Sequence, residues 1–193
     1  MSPSTSSASS PPLTLREPPA ALVLTPGASA DRDHATLVAL DAGLPELTVE
    51  RLTLGTTSVK SAVRKIVAAG TELAGRLGVE PGRIMYGGRS FGGRACSVAV
   101  AQGLPAAGLA LLSYPLHPPG KPDKLRVDHF GELTVPSLFV SGEKDPFGSA
   151  DEFAKHLAAI TGPVRFESIP GNHAPKGQDD AIVSLVRSFL HLD

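Results

Sequence analysis

The sequence predicts an α/β fold, with a mostly parallel central sheet of about six strands and helices on both of its faces. Three features of the 193-residue chain carry that expectation. Short apolar runs alternate with longer segments of helical periodicity, which is the pattern of successive β-α units. Runs such as Leu109-Ala110-Leu111-Leu112 are apolar at every position, as parallel strands covered on each side must be. Glycine and proline follow the runs where a strand has to turn into a helix.

The elements follow in order. Residues 20–24 form a first buried strand, ended by the turn Thr25-Pro26-Gly27-Ala28-Ser29. Residues 34–42 read as a helix with Asp33 placed to cap it, since a short acidic side chain accepts from the free N–H groups of a first turn. Residues 47–52 alternate like a strand exposed on one face. A long helix over 58–77 brings Val63, Ile66, Val67, Leu73 and Leu77 to helical spacing. A strand over 83–86, a helix from Phe91 and a central strand over 108–112 come next. Strands over 136–142 and 164–169 and helices starting near Asp151 and at Asp179 close the chain.

The chemistry gathers at the ends of the strands. Gly88-Arg89-Ser90-Phe91-Gly92 is G-x-S-x-G between a strand and a helix. A serine on such a strained turn exposes its Oγ, and glycines on each side remove the Cβ atoms that would clash. The helix that begins at Phe91 aims its free N–H groups and positive dipole end at any oxyanion formed beside Ser90. An acid and then a histidine are required later in the chain. Asp145 follows the strand over 136–142, and His173 follows the strand over 164–169 in the loop Pro170-Gly171-Asn172-His173-Ala174-Pro175. Glu143, two residues before Asp145, is the substitute acid.

Ser90, Asp145 and His173 look like the triad of the α/β-hydrolase superfamily. Gly87-Gly88-Arg89-Ser90-Phe91-Gly92-Gly93-Arg94 and Ser113-Tyr114-Pro115-Leu116-His117-Pro118-Pro119-Gly120-Lys121-Pro122 are more specific. Together they resemble the small, lidless, dienelactone-hydrolase-like proteins grouped with subunit 3 of the non-specific lethal complex. The resemblance implies a hydrolase domain over 20–193 without a cap domain. It implies a serine esterase or thioesterase working through a nucleophile elbow, a catalytic triad and an acyl-enzyme. The oxyanion donors would be the N–H of Phe91 and that of Ala28 or Gly27. Related hydrolases carry His-Gly in that last turn, whereas this chain has Pro26-Gly27 and so lacks a bracing histidine. The proline-crowded segment 113–135, about twenty residues, is too short for a cap. The expected site is therefore open, lined by Phe91, Tyr114, Leu116 and Phe147, and suited to small carboxylic esters. The alternative is a non-catalytic module of the same fold that binds partners on its open face.

Composition narrows the rest. With 41% hydrophobic and 19% charged residues, the chain can bury one substantial core. A net charge of −1 offers no field for nucleic acid or an anionic membrane. The one cysteine, Cys96, allows no internal disulfide and reads as a small buried residue, which favours a cytoplasmic setting. No apolar run approaches a membrane span, and nothing calls for a metal or organic cofactor. The Asp31-Arg32-Asp33-His34 group reads as a helix start. His34, His117, His129, His156 and His191 read as solvated surface histidines, and Lys121, Lys124 and Arg126 as a solvated loop. Residues 1–19, rich in serine and proline, read as a disordered, dispensable tail in which 13–15 offer a short edge strand.

Overall fold

Each expected strand joins one parallel sheet. The computed structural model describes Leu15 and residues 17–192. Its order is β1 (Ala21–Thr25), α1 (Ala35–Gly43), β2 (Thr48–Arg51), α2 (Val59–Leu77), β3 (Ile84–Arg89), α3 (Phe91–Ala101), β4 (Leu109–Leu112), β5 (Ser137–Gly142), α4 (Ala150–Leu157), β6 (Val164–Ile169) and α5 (Asp179–Leu190). Every pairing in the sheet is parallel, in the order β2-β1-β3-β4-β5-β6. The chain winds outward from β1 to β2, then returns past β1 and builds in the other direction. The crevice above the carboxyl ends of β1 and β3 is thus a topological switch point, where open α/β sheets hold their sites.

The period-two alternation of strands sorts side chains between two cores. Val23, Tyr86, Leu111 and Phe139 face α2, α3 and α4, whereas Leu22, Met85, Leu112 and Val140 face α1 and α5. The outer helices start on side-chain caps. Ser58 accepts from Ser61 N–H at the start of α2, and Ser149 and Glu152 form a capping box on α4. At α1 the cap differs from expectation. His34 accepts the Thr36 N–H through Nδ1, while Asp33 lies one residue too early and pairs with Arg51 instead.

The segment between β4 and β5 carries a single 3-10 turn, Phe130–Glu132, and folds down onto the core. Tyr114, Phe130 and Phe139 form an aromatic cluster with ring centroids 5.5–5.9 Å apart. Burying each such ring contributes about 1.5–3 kcal/mol, more than an exposed rim position would return. At the other end, Leu15 is buried against Gly108 and donates its N–H to Phe189 O, and Glu17 pairs with Arg83. The packed unit therefore starts before residue 20. Leu15 bonds to the end of α5 and joins no strand of the sheet. The expected tail, including Leu13 and Thr14, otherwise lies outside the described residues. No described helix is long and apolar enough to cross a membrane.

Candidate active site

β3 and α3 meet at Ser90 with no intervening loop, and the turn is tight because two glycines let the end of β3 and the start of α3 close against the end of β1. A Cβ on Gly88 would come within 2.4 Å of Thr25 O, and one on Gly92 within 2.3 Å of Pro26 O. Ser90 itself sits at φ 51°, ψ −118°, a conformation that costs a side-chain-bearing residue of order 1–3 kcal/mol. The strain persists because Ser90 N–H bonds to Leu112 O on β4 and Ser90 O accepts from Arg94 N–H in α3. That contact is the first of α3, so the Phe91 N–H lies among the unused donors of the helix start.

β5 and β6 bring the acid and the histidine to the same edge. Their loops are tied by Glu143 N–H to Ile169 O and Lys144 N–H to Gly171 O. Asn172 Oδ1 accepts from Ala174 N–H and closes a turn around His173. The three side chains form one hydrogen-bonded chain. Ser90 Oγ lies 2.8 Å from His173 Nε2, and His173 Nδ1 lies 2.9 Å and 3.0 Å from the two Asp145 oxygens. The Asp145 side chain is fully buried and its Oδ1 accepts from Phe147 N–H, with Ser141 Oγ donating to Oδ2. A carboxylate at Nδ1 assigns the proton there and leaves Nε2 as the acceptor facing Ser90. Glu143 is exposed, and Asp145 is the carboxylate that meets His173.

The expected lining divides. Phe147 stacks on the His173 ring and Phe91 stays half-buried beside Ser90. Tyr114 and Leu116 do not line the site, for both are fully buried. The Tyr114 hydroxyl donates to Arg126 O, and Leu116 packs on Gly148. The proline-crowded segment was expected to leave an open site lined by these residues, but the aromatic cluster draws it inward. The open space lies elsewhere. A cavity of about 360 Å³ between the β1 turn and the loop before α2 is lined by Gly27, Ser29, Ala30, Leu54, Gly55, Thr56 and Thr57. Gly27 bridges it to Ser90, since a Cβ there would stand 3.6 Å from Ser90 Cβ. Ala28 is exposed on the same turn. The small and threonine-rich composition of 54–57 was the available signal for this wall.

Two histidines expected at the surface are instead built in. His117 is buried, with Nδ1 near Pro118 O and Nε2 3.1 Å from Glu152. His129 lies 2.8 Å from Ser97 Oγ, and burial, reinforced by Arg94, lowers its pKa to about 4. Arg126 is half-buried, with its N–H on Leu116 O, while Lys121 and Lys124 are exposed. Cys96 is buried beside Thr25 Oγ1, and desolvation raises its thiol to about 12. In the Asp31–His34 group Asp31 accepts from Asp33 N–H, Asp33 pairs with Arg51 and His34 caps α1. Among the described residues no cluster of His, Cys, Asp and Glu has the makings of a metal site.

The fold and this edge of the sheet define an α/β hydrolase. Residues 18–179 match the family model described as an alpha/beta hydrolase domain, and the chain belongs to that family. Among solved structures, Est1E from Butyrivibrio proteoclasticus superposes with a TM-score of 0.70 at 18% identity, over 91% of this chain and 88% of that one. A dienelactone hydrolase from Anabaena variabilis gives 0.72 at 18% identity, over 93% and 88%. A thermophilic esterase from Thermogutta terrifontis gives 0.67 at 18% identity, over 93% and 91%. At such identities the likeness is one of fold.

Proposed function

We propose that the protein is a serine hydrolase of small carboxylic esters or thioesters, with Ser90 as nucleophile, His173 as general base and acid, and Asp145 as its partner. The observation that carries this reading is the unbroken hydrogen-bonded chain from Ser90 Oγ through His173 to the buried Asp145. Ser90 Oγ attacks the substrate carbonyl as His173 Nε2 takes its proton, and Asp145 steadies the imidazolium. The tetrahedral oxyanion is met by the Phe91 N–H and that of Gly27 or Ala28. Collapse breaks the bond to the leaving group, which receives the proton from His173. Water, deprotonated by His173, then cleaves the acyl-enzyme and restores Ser90.

The cavity beside Gly27 favours small acyl or alcohol groups, and the short segment before β5 leaves no enclosure for a long chain. The partner in this reading is a small-molecule ester in the cytoplasm; a net charge of −1 favours neither nucleic acid nor an anionic membrane. The two motifs at 87–94 and 113–122 support grouping the chain with the relatives of subunit 3 of the non-specific lethal complex.

The test is turnover of p-nitrophenyl acetate and butyrate, with fluorophosphonate labelling, by wild type, Ser90→Ala and His173→Ala. Wild type should turn over and label, and either substitution should cost at least about 10³-fold. A wild type no faster than its variants would overturn the reading in favour of a non-catalytic binding module.

A further inference from the structure

Arg89 stands immediately before Ser90 at the end of β3, and its charge has no carboxylate within ion-pair distance among the described residues. A half-buried guanidinium gives up hydration, so it is retained where its donors are used. Burial pulls its pKa down, and Asp145 and Asp179 pull it back up from a distance. Its Nη2 donates to His173 O at 2.5 Å. Its Nη1 lies 3.4 Å from where a Cβ on Gly27 would stand, an ordinary van der Waals distance, so the guanidinium lies alongside the Gly27 turn. The Pro26-Gly27 turn is closed by Ala30 N–H to Gly27 O, and the carbonyl within the His173 loop accepts from Arg89.

We propose that Arg89 is a positioning residue, one side chain that holds the His173 loop and the Gly27 turn at fixed distances from Ser90. This rests on the hydrolase reading above. The planar fork is what the task requires. One arm bonds the carbonyl of the general base while the other lies beside the turn that offers the second oxyanion donor. A lysine could reach the carbonyl as a point charge, but it could not fill both places. The strand end fixes the guanidinium, because Arg89 and Ser90 share one backbone and the Ser90 N–H is pinned to Leu112 O. The three moving parts of the reaction are thereby referenced to a single residue pair.

The experiment compares wild type, Arg89→Ala and Arg89→Lys on p-nitrophenyl butyrate, with thermal melts and hydrogen exchange of residues 171–176. Misplacement of a general base by about 1 Å costs on the order of 10²-fold, so Arg89→Ala should lose roughly that in kcat. KM should change less than about threefold, because Arg89 is not among the side chains that line the cavity beside Gly27. Exchange in 171–176 should rise, millimolar guanidinium should restore part of kcat, and Arg89→Lys should fall between the two. Arg89→Ala with wild-type kcat, or a loss borne by KM alone with no guanidinium rescue, would overturn the proposal. If Arg89→Ala does not fold, Arg89→Lys decides alone, wild-type kcat in it being an overturning result. A wild type that neither turns over nor labels at Ser90 would instead overturn the hydrolase reading, and this inference with it.

Discussion

The Phe147 ring lies flat on the His173 imidazole, with centroids 3.9 Å apart and planes at 28°. The same residue donates its backbone N–H to Asp145 Oδ1. Phe147 thus orients the histidine from above and the acid from the side, and it does so from the turn between β5 and α4 rather than from a cap domain.

Loss of that ring should be felt in rate before stability. A stacked aromatic contact is worth about 0.5–1.5 kcal/mol beyond its area, so Phe147→Ala should lower kcat about 2–12-fold on p-nitrophenyl butyrate. Phe147→Tyr should retain most of it. Equal kcat in Phe147→Ala and wild type would show that the stack is incidental.

The nucleophile turn should tolerate no added methyl group. A Cβ on Gly92 meets backbone at Pro26, which cannot move without displacing the β1 turn. Gly92→Ala should cost about 1–3 kcal/mol, a fall in Tm of roughly 2–12 °C. Gly75→Ala, in α2 with nothing within 4 Å of its Cβ, should instead raise Tm slightly, since alanine favours a helix interior by about 0.5–1 kcal/mol. Thermal melts of the two variants check both signs.

Acid should weaken the fold through His129. Its folded pKa is lowered to about 4 by burial and by Arg94, whereas the unfolded side chain titrates near 6.5. Between those values the unfolded chain binds more protons. The stabilising effect is complete above pH 6.5 and is lost as pH falls toward 4. Tm should therefore decline over that window, and His129→Gln, able to keep a bond to Ser97, should flatten the slope. Parallel curves for the two proteins would remove His129 from the account.

Truncation should locate the true start of the packed unit. Deleting residues 1–12 should leave Tm unchanged. Deleting 1–19 removes Leu15 and the Glu17–Arg83 pair and should lower it. Leu15→Ala alone should cost about 2–5 kcal/mol if the pocket does not collapse. An undiminished Tm after deletion to residue 19 would place the boundary where composition alone puts it.

Much of this architecture can be read from residue order. All six strands fall within a few residues of their expected places, and the four central ones do so because a run buried on both faces has few alternatives. Ser90, Asp145 and His173 announce themselves through glycine and proline at strand ends. Local features that depend on a neighbour distant in sequence are harder. His34 caps α1 because Arg51, on β2, draws Asp33 away. Tyr114 and Leu116 turn inward because Phe130, Phe139 and Gly148 offer them a core. Arg89 looks like a variable position within its motif until the His173 carbonyl and the Gly27 turn are seen on either side of it.

Cys96 lies at the centre of the molecule, on the face of α3 that meets Thr25 and Gly87. Only a thiolate reacts with alkylating and disulfide reagents, and at a thiol pKa of about 12 with no exposure the folded chain presents almost none. Its modification must wait until β1 and α3 separate, so the rate of thiol labelling counts global openings one molecule at a time. The chain carries its own clock for unfolding, read from a single sulfur and independent of any substrate.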